Sequence, residues 1–343
     1  MTTRGATASN NNDDAFIQLA SSIKQKLCSE SPLSSRCCIF QVPKTLRRHN
    51  NNVYETHTIS IGPFHHGKKA LKSSEKIKLW YLHDLLSRAP IPNTFLEDMI
   101  KHIKESEVRA GALPKAACTH QQAVPWVRLA IQNDLLLFEN QLHWFVLECL
   151  FNLTTDHERR TPSLADLALN FFHDMILITV PPKPNSKFET KHLLDLVRTS
   201  LVSPNAEMEQ ECPQVVLIPS VTELLQSGVK FKVGNHKDIL SVKFSNGVLE
   251  IPPIKLQENA ESIFRNLIAF EQCDHECTHS ITSLAILLDN LINSSKDVDF
   301  LSNKGIIEKA LSNEDICLFF NRLYNDAAVV SFSYHRLSRE LIE

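Results

Sequence analysis

The chain has 343 residues, 43% of them apolar and 22% charged, which is enough apolar material for one or two buried cores and too much for a disordered polymer. Thirty-six Lys and Arg against 39 Asp and Glu leave a formal net charge of -3, so no global cationic field draws the chain to nucleic acid or anionic lipid. Nine cysteines in no regular spacing, and no uninterrupted apolar run of about 18 residues, argue against a disulfide framework and against a membrane-spanning helix.

Residues 1–12 are polar and Asn-rich and lack the apolar core of a secretory signal; they read as a disordered tail in a cytoplasmic, reducing setting. From residue 13 to 343 the pattern reads as one compact unit, with a loose boundary at 181–187 where Pro181, Pro182 and Pro184 stiffen the chain. Apolar periodicity predicts helices near 13–27, 72–88, 94–109, 124–152, 163–177, 188–202, 220–227, 259–273, 279–294, 303–311 and 313–336. Thr94 with Glu97 and Ser220 with Glu223 have capping-box spacing, Ser163 with Asp166 and Ser312 with Asp315 a related one, and Gly228 is placed to end the helix that Ser220 opens. The most apolar stretch, Leu135 to Leu153, carries Glu139, Asn140, Gln141, His143 and Glu148 and therefore belongs in a protein core or a partner groove.

One strand region interrupts the helices. Asn246-Gly247 suits a two-residue type I′ turn, in which both positions need positive φ. That register sets Phe244 opposite Leu249, Val242 opposite Ile251 and Lys243 opposite Glu250. With a third strand at Val229–Val233, the reading is a predominantly α-helical α+β fold: a helical body with a small two- or three-stranded antiparallel sheet near 229–254.

Several motifs recur in a fixed order: Cys37-Cys38-Ile39-Phe40-Gln41-Val42-Pro43, Ile59-Ser-Ile-Gly-Pro-Phe-His-His-Gly67 and then Glu75, Lys78 and Tyr81; Asp134 to Leu142; His192-Leu-Leu-Asp195-Leu; Val242 to Pro253; Arg265 to Cys273; and Lys296-Asp297-Val298. As a set they resemble the plant proteins that carry the domain of unknown function 247, also called uncharacterised protein family 0481. The resemblance implies no assigned activity. It does imply a link to recognition, since some relatives take part in pollen–pistil self-recognition in grasses, and many are anchored on the cytoplasmic side of a membrane. Three departures from the family pattern stand out: a shortened segment between Glu105 and Trp126, a polar end at Glu343 where relatives carry an apolar helix, and His143 where proline is usual.

Two constellations contain chemistry-bearing residues. His65 and His66, with Glu75 or Glu139, are candidates for general acid–base work, although Gly62-Pro63 and Gly67 around the histidines also suit a tight turn locked by hydrogen bonds. Glu139, Asn140 and Gln141 suit a role in binding the backbone of neighbouring elements. Cys273, His275, Cys277 and His279 are zinc-ligand types, but on a helix the thiols share one face and the imidazoles nearly the opposite one, so a helix-to-helix corner is the competing reading. Neither Gly-rich phosphate-binding pattern is present, and no cofactor is expected. The expectation is a non-enzymatic interaction or recognition protein with other proteins as partners, cytoplasmic or peripheral to a membrane through them; the alternatives are an enzyme built on His65 or His66 with a carboxylate, and a zinc-stabilised module around Cys273.

Overall fold

Short hydroxyl side chains followed three residues later by a carboxylate open four of the helices. The computed structural model describes residues 38–72, 125–154, 162–175, 177, 189–202, 215–235, 238–325, 327–329 and 331–343, with short helical pieces between 75 and 101. In chain order the elements are α1 (Lys44–Arg47), α2 (Pro125–Leu135), α3 (Trp144–Thr154), α4 (Leu164–Phe172), α5 (Leu193–Leu201), α6 (Val221–Gln226), β1 (Lys230–Val233), β2 (Lys243–Ser245), β3 (Val248–Ile251), β4 (Ile254–Leu256), α7 (Ala260–Cys273), α8 (Ser280–Leu291), α9 (Ser295–Asn303), β5 (Ile307–Lys309), α10 (Asn313–Leu323) and α11 (His335–Ile342). Ser163 with Asp166 and Ser220 with Glu223 form complete capping boxes on α4 and α6, and the Ser312 side chain accepts from Asp315 N–H on α10. A further box, Ser294 with Asp297, opens α9. The expected helix at 13–27, the Thr94 cap and the 181–187 boundary lie outside the described residues.

The long helix expected over 124–152 is instead two helices separated by a 3-10 turn at Phe138–Asn140. The reason is local chemistry. Asn140 donates its side-chain N–H to the carbonyl of Asp134, and Gln141 donates to those of Leu135 and Leu137, so side chains occupy the carbonyls at the end of α2.

The hairpin takes the expected register, Lys243 opposite Glu250 and Phe244 opposite Leu249, through a turn with φ of 52° at Asn246 and 69° at Gly247. Its third strand differs in direction. β1 runs parallel to β3, pairing Lys230 with Val248 through to Val233 with Ile251, so the sheet is mixed, in the order β1-β3-β2. The connection from β1 carries the chain past β3 to its far edge before the hairpin returns it, and β1 then borders the near edge in the parallel sense.

A third correction concerns 303–311, expected as helix. Gly305, at φ 74°, ends α9, and Ile306 N–H bonds back to Leu301; the chain then enters β5, which pairs parallel to β4 with Ile254 opposite Ile307. Likewise the helix expected over 313–336 stops at Leu323, and buried Phe332 and Tyr334, outside any helix, precede α11.

The centre of the core is α7 and α8. Every residue from Ile263 to Glu271 is buried, as is every residue from Ile281 to Leu288. Phe138 reaches α7 from the interrupting 3-10 turn, its ring 5.5 Å from that of Phe270. The turn between α2 and α3 is thereby fixed to the core, and this positions the polar cluster described next. Among the described residues no helix is long and apolar enough to cross a membrane.

Candidate functional site

The Asp134–Gln141 segment holds the N-terminal signature in place through side chains directed at backbone. The carboxylate of Asp134 accepts from the N–H groups of His57 at 3.0 Å, Thr58 at 2.5 Å and Ile59 at 2.6 Å. Burial raises the pKa of Asp134 above the ordinary carboxylate value, against the pull of these donors. Asn140 continues the line: its Oδ1 accepts from Ile61 N–H at 2.6 Å and Gly62 N–H at 2.8 Å, and its Nδ2 donates to the Ile59 carbonyl at 2.9 Å. Gln141 accepts from Leu194 N–H at 3.1 Å and so ties the same turn to α5. Gly62 is required sterically, since a Cβ there would lie 2.8 Å from backbone atoms of Asn140 and Gln141.

Glu139 stands at the centre of a charged group. Its Oε1 accepts from Val42 N–H at 2.7 Å, and its Oε2 takes an ion pair with Arg47. Arg47 also bonds Glu55 at 3.2 Å and Asn51 at 2.7 Å and lies over the Tyr54 ring, while Glu55 pairs with Lys68. Burial carries the Tyr54 phenol up to about 12 despite the arginines nearby. Burial opposes ionisation of Glu55, but the hydrogen bond and charge of Lys68 prevail and hold its pKa below the usual carboxylate value.

His65 reaches this group and His66 does not. The His65 imidazole is 1% exposed, with Nε2 3.6 Å from Glu139 Oε2 and Nδ1 4.0 Å from Glu55 Oε2. Neither ring nitrogen has a hydrogen-bond partner in the structure. Burial, first, and the charge of Lys68, second, lower the His65 pKa, which favours the neutral ring. His66 is exposed on the adjoining turn, where Gly67 takes φ 77°. Glu75 pairs with buried Lys78 at 2.6 Å. The structure thus brings together His65 and Glu139 out of the expected four. Arg47 and Glu55 complete the cluster; their separation from Glu139 along the chain, 92 residues for Arg47, left no periodic signal.

At the end of α7 the zinc-ligand types do not converge. His279 bonds Gln272 at 3.0 Å, His275 is exposed, and burial raises the thiols of Cys273 to about 11 and Cys277 to about 12. Among the described residues no group of three or more His, Cys, Asp and Glu side chains is placed to hold a metal ion. The corner is built by Glu271: it accepts from Arg198 Nε at 3.0 Å, from Ile281 N–H at 3.0 Å and from the N–H and hydroxyl of Thr282 at 2.9 and 2.8 Å. These contacts cap α8. Beside it, Lys191 bonds Asp274 and Glu276, each at 2.7 Å.

The chemistry available is therefore dominated by internal satisfaction of backbone groups, with one neutral imidazole enclosed between two carboxylates. A family described as "Plant protein of unknown function" matches residues 39–115 and 112–343, two stretches that meet within the segment where the sequence is short. The protein named UPF0481 protein At3g47200 of Arabidopsis thaliana is 28% identical over 368 residues, covering 88% of this chain and 75% of the relative. Putative UPF0481 protein At3g02645, of the same plant, is 30% identical over 128 residues, covering 37% of this chain and 22% of the relative. No solved structure matches the chain.

Proposed function

From the premise that the chain belongs to the plant family of domain of unknown function 247, we propose that it is a non-enzymatic protein-interaction component, with recognition of another protein as its task. One observation carries the reading. The polar side chains of the family-like motifs, Asp134, Glu139, Asn140 and Gln141, are directed at internal backbone groups and ion pairs, so the motifs account for a scaffold without a reaction. The alternative, an enzyme using His65 with Glu139, requires a substrate to reach a ring that is 1% exposed.

The partner's contact surface belongs to exposed apolar side chains rather than to the motifs. Leu217, 72% exposed just before α6, and Leu225, 38% exposed in its last turn, are the positions to test. Tagged wild-type chain and the Leu217→Glu/Leu225→Glu variant are purified from plant tissue, with mass spectrometry of bound proteins, fractionation of membranes and elemental analysis. A reproducible protein partner supports the proposal, and its loss from the variant assigns the surface. A stoichiometric small molecule or zinc ion with no protein partner overturns it in favour of the enzyme or the zinc-stabilised module. Peripheral attachment to a membrane through the partner is part of the same proposal, and recovery of the chain in the membrane fraction only when the partner is present is the expected result.

A further inference from the structure

We propose that Cys38 and His143 form a thiol–imidazole pair that makes Cys38 a site of two-electron oxidation by hydrogen peroxide or another small hydroperoxide. The two residues are 105 positions apart, and the fold sets Cys38 Sγ 3.2 Å from His143 Nδ1. Cys38 is not in a disulfide. The carbonyl of Lys191 lies 4.0 Å from the same sulfur, on the far limit of a weak S–H contact, so the imidazole is nearer than that carbonyl.

The pair has the parts that an activated thiol needs. A nucleophilic sulfur is the thiolate, and a base within hydrogen-bond reach supplies it by taking the proton. Cys38 is buried, at 6% exposed, so the oxidant the proposal requires is one as small as a peroxide of two heavy atoms. His143 is half-buried, with its ring 5.5 Å from that of Phe145.

In the step, the Cys38 proton moves to His143 Nδ1. The thiolate then attacks one peroxide oxygen, an S–O bond forms and the O–O bond breaks. The departing hydroxide takes the proton from the imidazolium and leaves as water. Sulfur is oxidised by two electrons to the sulfenic acid and the peroxide is reduced.

Cys273 and Cys277 provide internal controls. Both are partly buried thiols whose proton is held more tightly than usual, the first near 11 and the second near 12, by burial. The experiment treats the reduced full chain with hydrogen peroxide in the presence of dimedone, which traps sulfenic acids, and quantifies each cysteine by peptide mass spectrometry across pH. The expected result is trapping at Cys38 at least about tenfold faster than at Cys273 and Cys277 at neutral pH, with a midpoint below the ordinary thiol value of about 8.5. His143→Asn is expected to slow Cys38 about tenfold and to move its midpoint upward. Equal or slower trapping at Cys38 than at the controls overturns the proposal, as does a Cys38 rate that His143→Asn leaves unchanged. Should that variant fail to fold, the wild-type comparison and midpoint decide alone: a midpoint at or above the ordinary thiol value overturns it.

Discussion

Asn140 and Gly62 are locked together: the Asn140 amide oxygen accepts from Gly62 N–H at 2.8 Å, while a Cβ at Gly62 would lie 2.8 Å from the Asn140 backbone. Contact with backbone rather than with a movable side-chain tip leaves no cheap relaxation, so Gly62→Ala is expected to cost about 1–3 kcal/mol, as overpacking does. Asn140→Ala removes four hydrogen bonds and strands buried groups of Ile59, Ile61 and Gly62, while the Asp134 carbonyl keeps Leu137 N–H; a loss of roughly 3 kcal/mol or more is expected. Urea unfolding midpoints check both, and a neutral Gly62→Ala would contradict the close approach.

Glu139 and His66 separate scaffold from surface. Glu139→Ala releases Val42 N–H and one of the partners of Arg47, for an expected loss of about 2–3 kcal/mol, limited because Arg47 keeps Glu55 and Asn51. His66 is exposed, and His66→Ala should stay within about 0.5 kcal/mol. Thermal melting of the two variants side by side tests the difference.

Acid should destabilise the protein through its buried histidines. His192 is fully buried between Phe138 and Phe270, and burial lowers its pKa from 6.5 to about 3. A lowered histidine means that the unfolded chain binds the extra proton, so stability is complete above 6.5 and drains as pH falls toward 3, by about 1.4 kcal/mol per pH unit. His65, also lowered by burial, acts in the same sense. Asp134 and Asp195, raised by burial, oppose the trend at the acid end. His192→Asn keeps an acceptor for Asp195 N–H, the N-cap contact of α5, yet cannot titrate. Its denaturant-derived stability should be lower at neutral pH and fall less steeply between about pH 6.5 and 4.5; an unchanged slope would exclude His192 as the source.

Arg198 and Glu271 should respond unequally to truncation. Glu271→Ala leaves the buried Arg198 guanidinium without its carboxylate, though its bonds to Thr278 remain, and strands Ile281 N–H and both donors of Thr282, so an expected cost of about 3–5 kcal/mol follows. Arg198→Met leaves those three donors on the carboxylate and should cost measurably less. Equilibrium unfolding of the two variants decides the order, and a larger loss from Arg198→Met would contradict the capping role of Glu271.

Local signals were legible in the residues themselves. Capping boxes at Ser163 and Ser220, the positive-φ turn at Asn246-Gly247 and the register of Phe244 with Leu249 all came through because each depends on groups within a few positions of one another. The polar character of Glu139, Asn140 and Gln141 within an apolar run pointed to buried backbone partners, and those partners are present. The family, too, was readable from ordered motifs.

Tertiary structure alone decided the rest. The parallel pairing of β1 with β3 and of β4 with β5, and hence the strand at Ile307–Lys309, depend on which distant segment completes a hydrogen bond, and apolar periodicity is silent about that choice. The convergence of Arg47, Glu55, His65 and Glu139, and the approach of Cys38 to His143, belong to the same class. Composition and spacing set which side chains are available along the chain; burial and closure of the core set which of them meet, because only there are water and its competing hydrogen bonds removed.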